Sequence, residues 1–458
     1  MREGLHKIVS LDETIVAIST ALGRSAIGVV RISGTAALES VRRYFRSSAS
    51  LEHHRVSIGT WHDLDGEAMD EVVVTFSKSP HSYTGEDLVE ISAHGNPTVL
   101  NRIVHTLRLA GARLAAPGEF TLRAVANGKM DLTQAEAVRE FVEAQTEQQA
   151  RTALRQIEGA TSKKIAPVKS ELVTVIANLE AGIDFAEDDV AVPSGQWIAQ
   201  QLDPLVVRLD QIQKTFGYGR MLAEGVRLTI AGKPNVGKSS LFNRLLNADR
   251  AIVTNTPGTT RDVLTEAVNL EGVPLRLADT AGLRETNDQV ESIGVGRSIE
   301  AVAESDLTLV VLDGSKSLDE DDMRVLAKTS AVPRLVVINK SDLPEASVIG
   351  LNGSLPVRVS ALTGAGIDEL WKAIRQFLLE RRADLADDFV LTSTRQNEAL
   401  ERAIHSLRTA ATVVLSDVPH EMVLLDLYAA LEALNELTGD VVTEDILDKI
   451  FSTFCIGK

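Results

Sequence analysis

The sequence predicts a multidomain chain: an α+β N-terminal domain, a discontinuous α-helical domain, and an α/β phosphate-loop domain inserted into it. Three observations predict this. Short apolar strands mix with helices over residues 5–120. Helical periodicity with few β-branched clusters takes over at 120–222 and returns at 383–458. Between those stretches, 224–382 reverts to strand–helix alternation, with mostly apolar strands as in a doubly wound parallel sheet buried on both faces. A helical part on either side of an α/β unit reads as an insertion, which is tolerated where domain termini lie close together at the surface. The boundaries fall at 1–119, 120–221, 222–382 and 383–458.

Composition narrows the class. At 458 residues the chain has room for about three domains. Hydrophobic residues make up 44% and aromatics only 4%, so the cores must be aliphatic. No apolar run approaches the roughly 20 residues of a membrane span, and the N-terminus, with Asp12 and Glu13, shows no signal-peptide pattern. A single cysteine, Cys455, forbids an internal disulfide and fits a reducing cytoplasm. The net charge of −17 argues against broad electrostatic binding of nucleic acid but leaves room for a local basic surface. Residues 1–120 hold 12 Lys+Arg against 14 Asp+Glu, so most of the negative charge lies further along.

In the first domain, Thr14–Ser19, Gly28–Ile32, Val56–Trp61, Val72–Phe76 and Leu88–Ile91 read as strands, with a hairpin signal at Asp65-Gly66. Thr35–Tyr44 and Pro97–Ala110 read as helices, the second with Val99, Ile103 and Leu107 on one face. The polar stretches 82–87 and 92–97 read as loops flanking one strand, able to contribute to a ligand site. In the helical part, Thr133 followed by Glu136 makes a capping-box pattern. One long helix is expected over Gln148–Ala181, ended by Gly182, then an acidic loop at Asp184–Asp189 and a helix at Gln196–Lys214. Beyond the insert, Arg395–Leu415 and His420–Thr438 are long amphipathic runs, and Thr443 is a candidate cap for a short one.

The chemistry concentrates around residues 227–246. An apolar strand, Val226–Ala231, runs into Gly232-Lys-Pro-Asn-Val-Gly237-Lys238-Ser239, and a helix follows with Leu241, Leu245 and Leu246 at helical spacing. This is the phosphate-binding loop. Its glycines let successive backbone N–H groups of Asn235, Val236, Gly237, Lys238, Ser239 and Ser240 turn toward phosphate oxygens, and the helix adds its positive end. Lys238 reaches the β- and γ-phosphates and Ser239 ligates Mg²⁺ in such a loop. Four stretches follow in the order a GTPase requires. Gly258–Asp262 suits a switch whose threonine, Thr260, ligates Mg²⁺ and senses the γ-phosphate. Asp279 and Gly282, in Asp-Thr-Ala-Gly, follow the strand Leu275–Ala278. Asn339, Lys340 and Asp342 follow the strand Leu335–Ile338, and the Asp342 carboxylate can accept the paired guanine donors that adenine lacks. Ser360 and Ala361 follow Pro356–Val359 and offer a backbone N–H to the base. Leu283 stands where Ras-like GTPases place a water-orienting glutamine, so another group, such as Glu285, Asp288 or Glu291, must orient the attacking water.

The chain also carries Gly23–Gly34 (Gly-Arg-Ser-Ala-Ile-Gly-Val-Val-Arg-Ile-Ser-Gly), Tyr83–Asp87, Pro117–Phe120, Asn127–Glu136, Ile183–Phe185 and a terminal Phe454-Cys-Ile-Gly-Lys458. With these and the nucleotide motifs it resembles, over its whole length, the MnmE (TrmE) family of bacterial tRNA-modification GTPases. The resemblance implies a homodimer paired through a folate-binding N-terminal domain that takes a 5-formyl-tetrahydrofolate. It also implies a flavin- and NADH-using partner (MnmG, also called GidA) in a heterotetramer or larger assembly. Together they would place an aminomethyl or carboxymethylaminomethyl group on C5 of the wobble uridine of certain tRNAs. It assigns K⁺ to Asn235, Thr254, Thr256 and Thr259, with Thr254 and Thr259 also among the GTP-contacting residues. The ion would supply transition-state charge where other GTPases use an arginine finger. Glu291 is implied as the catalytic acid beside Lys238; Arg24, Glu86 and Lys129 as folate-region residues; and Cys455 as a thiol bearing on modification. Asn96 stands where a second glycine is expected after Gly95, an exchange that would narrow the folate pocket. Two other classes compete: a ribosome-assembly switch of the Era/Der kind, which lacks the N-terminal domain and terminal tag, and a folate-dependent methyltransferase with a regulatory G domain.

Overall fold

The computed structural model describes residues 12–184, 193–246, 266–279, 305–344, 356–382, 389–416, 418–441 and 443–457. The chain forms two compact units: Met1–Arg139 with Gln156–Leu205 and Arg402–Lys458, and Glu140–Arg155 with Val206–Glu401.

The first unit is built on a seven-stranded sheet ordered β3-β4-β5-β6-β2-β1-β7. Its strands are β1 (Ile15–Ile18), β2 (Ser25–Ser33), β3 (Phe45–Arg46), β4 (Val56–His62), β5 (Ala68–Ser77), β6 (Leu88–Gly95) and β7 (Arg113–Leu114). The Asp65-Gly66 turn joins β4 to β5 as expected. Stretch 92–95 is not a loop: it prolongs β6, because Ser92 and Ala93 pair with Val29 and Gly28 of β2. One sheet face is covered by α1 (Ala37–Tyr44) and α2 (Pro97–Leu109). Their buried residues Val41, Leu100, Ile103 and Leu107 meet Val30, Ile32, Val72, Val74 and Ile91. Trp61, fully buried, stacks on Tyr44 at 6.0 Å and donates its indole N–H to Thr106 at 3.3 Å, joining the two helices through β4. Asn96 serves the helix that follows it. Its side chain accepts from the Thr98 N–H at 2.9 Å and caps α2, and its φ of −99° needs no glycine.

The opposite face is covered by Phe120 and Tyr83 at β1 and β6 but leaves an apolar patch open at β2, β4 and β5. Ile27, Val56 and Ile58 are about two-thirds exposed, and Ile58 lies directly across from Val73.

An ion network fixes the loop before β6. Arg123, on α3 (Glu119–Ala126), is fully buried. It donates to both oxygens of Glu86 at 3.1 Å and to Glu119 at 2.9 Å, and Arg113 also grips Glu119 at 2.7 Å. Burial works to raise the Glu119 carboxyl, but hydrogen bonds from Arg113, the Ala116 N–H and Arg123 outweigh it and hold it below its ordinary value.

Three helical expectations need correction. The cap of α4 (Leu132–Glu143) is Asp131 with Gln134, not Thr133 with Glu136: Asp131 Oδ1 accepts from the Gln134 N–H and Gln134 Oε1 from the Asp131 N–H, both at 2.9 Å. Both pairs fit the capping-box spacing, and the aspartate one comes first. The single helix expected over 148–181 is two, α5 (Glu147–Ile157) and α6 (Ala160–Asp184): Gly159, left-handed at φ +82°, breaks the run, and the Gln134 amide takes the freed Ile157 carbonyl. Gly182 does not stop α6, which runs on to Asp184. The acidic loop beyond it lies outside the described residues. Further on come α7 (Gly195–Lys214), α8 (Phe216–Glu224), α12 (Thr394–Val413), α13 (His420–Thr438) and α14 (Glu444–Phe451). Packing of α13 along α6 is tied by the pairs Lys169–Asp440 and Tyr428–Glu180. The segment after α14 returns to α3, where Phe451 and Phe454 bury against Leu122, Val125 and Ala126. Gly457 then lies against β1, and Arg31 donates to its carbonyl at 3.4 Å.

The second unit holds a six-stranded sheet ordered β13-β12-β11-β8-β10-β9. These are β8 (Val226–Ala231), β9 (Glu266–Leu270), β10 (Val273–Asp279), β11 (Leu307–Asp313), β12 (Arg334–Asn339) and β13 (Val357–Arg358). All neighbours pair parallel except β9, which is antiparallel to β10 through the Glu271-Gly272 turn. Its core is aliphatic, drawn from Leu228, Ile230, Leu275, Leu277, Leu309 and Val311 with α9 (Lys238–Leu246), α8 and α11 (Ile367–Arg382).

Replacing Arg123 with alanine leaves Glu86 and Glu119 without their shared cation, so a loss of about 3–5 kcal/mol is expected, read by chemical denaturation. The sign with pH follows from Glu119. A lowered carboxyl contributes stability above its ordinary value of 4.5 and loses it as pH falls through the lowered value. Acid titration of the wild type should show this loss and Arg123→Ala a smaller one.

Candidate functional site

The site forms where parallel strands end. β8, β11 and β12 run side by side, and their C-terminal residues lead into the nucleotide motifs. After β8 the chain turns through Gly232 and Asn235 and enters α9 at Lys238. Asn235 sits at φ +65°, a left-handed conformation that asparagine tolerates better than most residues. Gly237 is at φ +94°, and a Cβ there would lie 2.2 Å from Asn339 Nδ2. Only glycine lets the phosphate loop come this close to the end of β12.

Asn339 explains the closeness. Its side chain is 2% exposed and bonded on both sides. Nδ2 donates to the Val236 carbonyl at 2.8 Å, and Oδ1 accepts from the Ala361 N–H at 2.9 Å. One amide thus ties the phosphate loop to the loop expected to meet the base. Next, Lys340, at φ +65°, holds its ammonium 2.7 Å from Asp313 at the end of β11. Burial works to raise the Asp313 carboxyl, but Lys340 and the Ser315 hydroxyl and N–H bond to it and hold it below its ordinary value. Asp342 accepts from the Ser360 hydroxyl at 2.5 Å, and that hydroxyl accepts from the Thr363 N–H at 3.1 Å. Such an aspartate is oriented before any base arrives. Arg244 of α9 braces the same loop, donating to the Ala361 and Leu362 carbonyls at 3.2 and 2.6 Å.

On the phosphate side, Lys238 Nζ donates to the Lys233 carbonyl at 2.9 Å, folding its ammonium over the loop. Lys233 is clamped by Asp319 and Asp322, both at 2.6 Å. That contact, with backbone bonds at the start of α10 (Glu320–Lys328), brings the exposed Asp319 carboxyl down to about 2. Ser239 and Ser240 are exposed on the first turn of α9, as phosphate and Mg²⁺ ligation requires. Val236 puts its side chain in the core and has its carbonyl taken by Asn339, which leaves its N–H for a phosphate.

The structure therefore brings together Asn235 to Ser240, Asn339, Lys340, Asp342, Ser360 and Ala361. Asp279 ends β10 beside Ile230 of β8. Thr254, Thr256, Thr259, Thr260, Gly282 and Glu291 lie outside the described residues. Sequence reasoning missed Asp313, Arg244 and the Lys233–Asp319–Asp322 clamp. Asp313 was findable, since it ends an apolar strand as Asn339 does. The partners of Arg244 and Lys233 lie some hundred residues away and carried no local signal.

The three residues expected in a folate region are placed less alike. Glu86 has both oxygens taken by Arg123, and one also accepts from Ser33 at 2.7 Å. It fits a loop anchor better than an open ligand group. Lys129 donates to the Pro80 carbonyl at 3.0 Å, beside the same loop. Arg24 stands exposed before β2, and no hydrogen bond among the described residues joins it to the other two. Cys455 is exposed between the anchored Phe454 and Gly457.

Residues 14–129 match the family model described as the GTP-binding protein TrmE N-terminus, and 132–455 match the MnmE helical domain. The chain is 46% identical over 456 residues to the tRNA modification GTPase MnmE of Koribacter versatilis, covering 98% of this chain and all of that one. It is 45% identical over 451 residues to its counterpart in Aquifex aeolicus, at the same coverages. Among solved structures it is similar to the G domain of the T. maritima FeoB iron transporter, at 23% identity and a TM-score of 0.25, covering 34% of this chain and 98% of that one.

Asn339→Ala should break both bonds to the loops. At about 1–3 kcal/mol for a buried group left unpaired, GTP affinity measured by calorimetry is expected to fall at least tenfold.

Proposed function

The chain belongs to the family of the tRNA modification GTPase MnmE, and on that premise we propose that it is a K⁺-dependent GTPase acting on the wobble uridine of certain tRNAs. GTP hydrolysis in tRNA modification follows from the family. The finer assignments are proposals. The observation that carries them is the arrangement around Asn339, which holds a phosphate loop and an oriented aspartate, Asp342, at one strand edge.

In this reading Asp342 accepts the guanine N1–H and 2-amino group, and the Ala361 loop faces the base oxygen. The amides of Asn235 to Ser240 and the Lys238 ammonium hold the phosphates. Lys238 releases the Lys233 carbonyl to reach the transferred group, where it steadies the charge that develops. Ser239 and Thr260 hold Mg²⁺, with Asp279 behind it; the ion supplies charge neutralisation at the phosphates. Thr259 and Gly282 contact the γ-phosphate end. Asn235, Thr254, Thr256 and Thr259 hold K⁺, and Glu291 positions water in place of the glutamine that Leu283 replaces.

Residues 1–119 form the folate-binding and dimerisation domain, 120–221 and 383–458 the helical domain, and 222–382 the G domain. The open apolar sheet face at Ile27, Val56, Ile58 and Val73 suits pairing with a second copy. A 5-formyl-tetrahydrofolate binds beside loop 82–87, with Arg24 and Lys129 as cationic contacts and Glu86 fixing the loop. The flavin-dependent partner MnmG joins the homodimer, and together they place the aminomethyl or carboxymethylaminomethyl group on C5 of the uridine, with Cys455 near the folate. No helix among the described residues is long and apolar enough to cross a membrane, and the setting is the cytoplasm.

The test is nucleoside mass spectrometry of tRNA from cells with and without this chain. Loss of the C5-modified wobble uridines on deletion is expected; their persistence, with no second copy of the gene, favours a ribosome-assembly role. In the purified protein, exchanging K⁺ for Na⁺ should slow hydrolysis at least tenfold. Glu291→Ala should lower kcat strongly with nearly unchanged GTP affinity. Equal turnover in the two salts retires the K⁺ assignment.

A further inference from the structure

The N-terminal sheet has two unlike faces, and the covered one carries a concentration of positive charge. The outward sides of α1 and α2 and the adjoining β3 present Arg42, Arg43, Arg46, Arg102 and Arg108, with His105 among them. Glu39 is the lone acid of the two helices. The inward sides are fixed in the core, and the Tyr44–Trp61–Thr106 link sets the end of α1 against the middle of α2, so the cations share one surface.

The pairing of these cations is uneven. Arg102 is bonded to Asp63, with Asp65 nearby, and Arg46 caps the end of α1 through the Arg42 and Arg43 carbonyls. Arg42, Arg43 and Arg108 are exposed, and no hydrogen bond or ion pair engages their side chains among the described residues. In a chain of net charge −17, acids are plentiful, yet among the described residues only Glu39, one helical turn before Arg42 and Arg43, lies beside these cations on the two helices, and it forms no ion pair with them. Screening confines surface electrostatics to about 8 Å at physiological salt. A polyanion meeting this face would therefore respond to its local charge rather than to the distant acidic surface. Guanidinium groups also match phosphate oxygens in a two-pronged geometry that ammonium cannot copy.

We propose that the outer face of α1 and α2 is a docking surface for the phosphate backbone of tRNA. This rests on the tRNA-modification reading and adds where on the chain the RNA is held. The open apolar face lies on the other side of the same sheet, so pairing with a second copy there leaves the cationic face free.

The test uses the full-length chain with Arg42, Arg43 and Arg108 all changed to alanine, beside the corresponding triple-lysine variant. Affinity for tRNA is followed by fluorescence anisotropy across a salt series. The alanine variant should bind about tenfold or more weakly. Its slope of log affinity against log salt should shrink by roughly one for each phosphate contact removed. The lysine variant should keep most of the slope, while GTP hydrolysis and thermal unfolding stay unchanged in both. Equal affinity and slope in wild type and alanine variant overturn the proposal, as does a wild-type chain with no measurable tRNA affinity. Each variant is also returned to cells lacking the chain. Lost wobble modification with intact tRNA affinity assigns the face to an acidic protein partner and overturns the proposal. A wild-type chain that fails to restore modification overturns the tRNA reading itself.

Discussion

One buried amide holds the nucleotide site together. Asn339 cannot leave either of its hydrogen bonds unmade without stranding a polar group in the core. Its position therefore dictates where the phosphate loop and the Ala361 loop stand. Gly237 is a consequence of this constraint, because any side chain there would collide with the amide. The parallel strand order makes the contact possible, since it brings the ends of β8, β11 and β12 to one edge. Lys340–Asp313 and Ser360–Asp342 then fill in around the fixed point, each taking a charge or hydroxyl that would otherwise be mobile.

The second unit was the more legible in sequence. Most of its strands are largely apolar and four of them, β8, β10, β12 and β13, run into a motif, so strand and motif locate one another. The edge strand β9 escaped because it pairs antiparallel through a short turn and leads into no motif. Arg244 and the Lys233 clamp escaped for a different reason: a cation's partners are set by folding, and nothing near it in sequence marks them. In the first unit the strand pattern was also readable, but site assignments were harder to draw. Glu86 reads in sequence as a polar loop residue open to a ligand. The fold instead gives both its oxygens to a fully buried arginine.

The helical segments show where pattern reading runs out. Asp131–Gln134 and Thr133–Glu136 both satisfy the capping rule, and only the backbone decides between them. The continuous periodicity across 148–181 hides a break at the left-handed Gly159, where a glutamine from an earlier helix takes the carbonyl at the end of α5. The first choice is made by a local pair of hydrogen bonds and the second is accompanied by a tertiary one.

The return of the last segment to α3 bears on how the protein is made. Leu122, Val125 and Ala126 emerge from the ribosome early, but the Phe451 and Phe454 rings that cover them follow roughly 300 residues later. At about 5–20 residues per second, that apolar strip stays bare for some 15–60 s. Gly457, where a Cβ would lie only 2.4 Å from the Ile18 carbonyl oxygen, closes the assembly against one of the earliest strands. The newborn N-terminal part is thus a natural client for a chaperone until its own far end arrives to replace it.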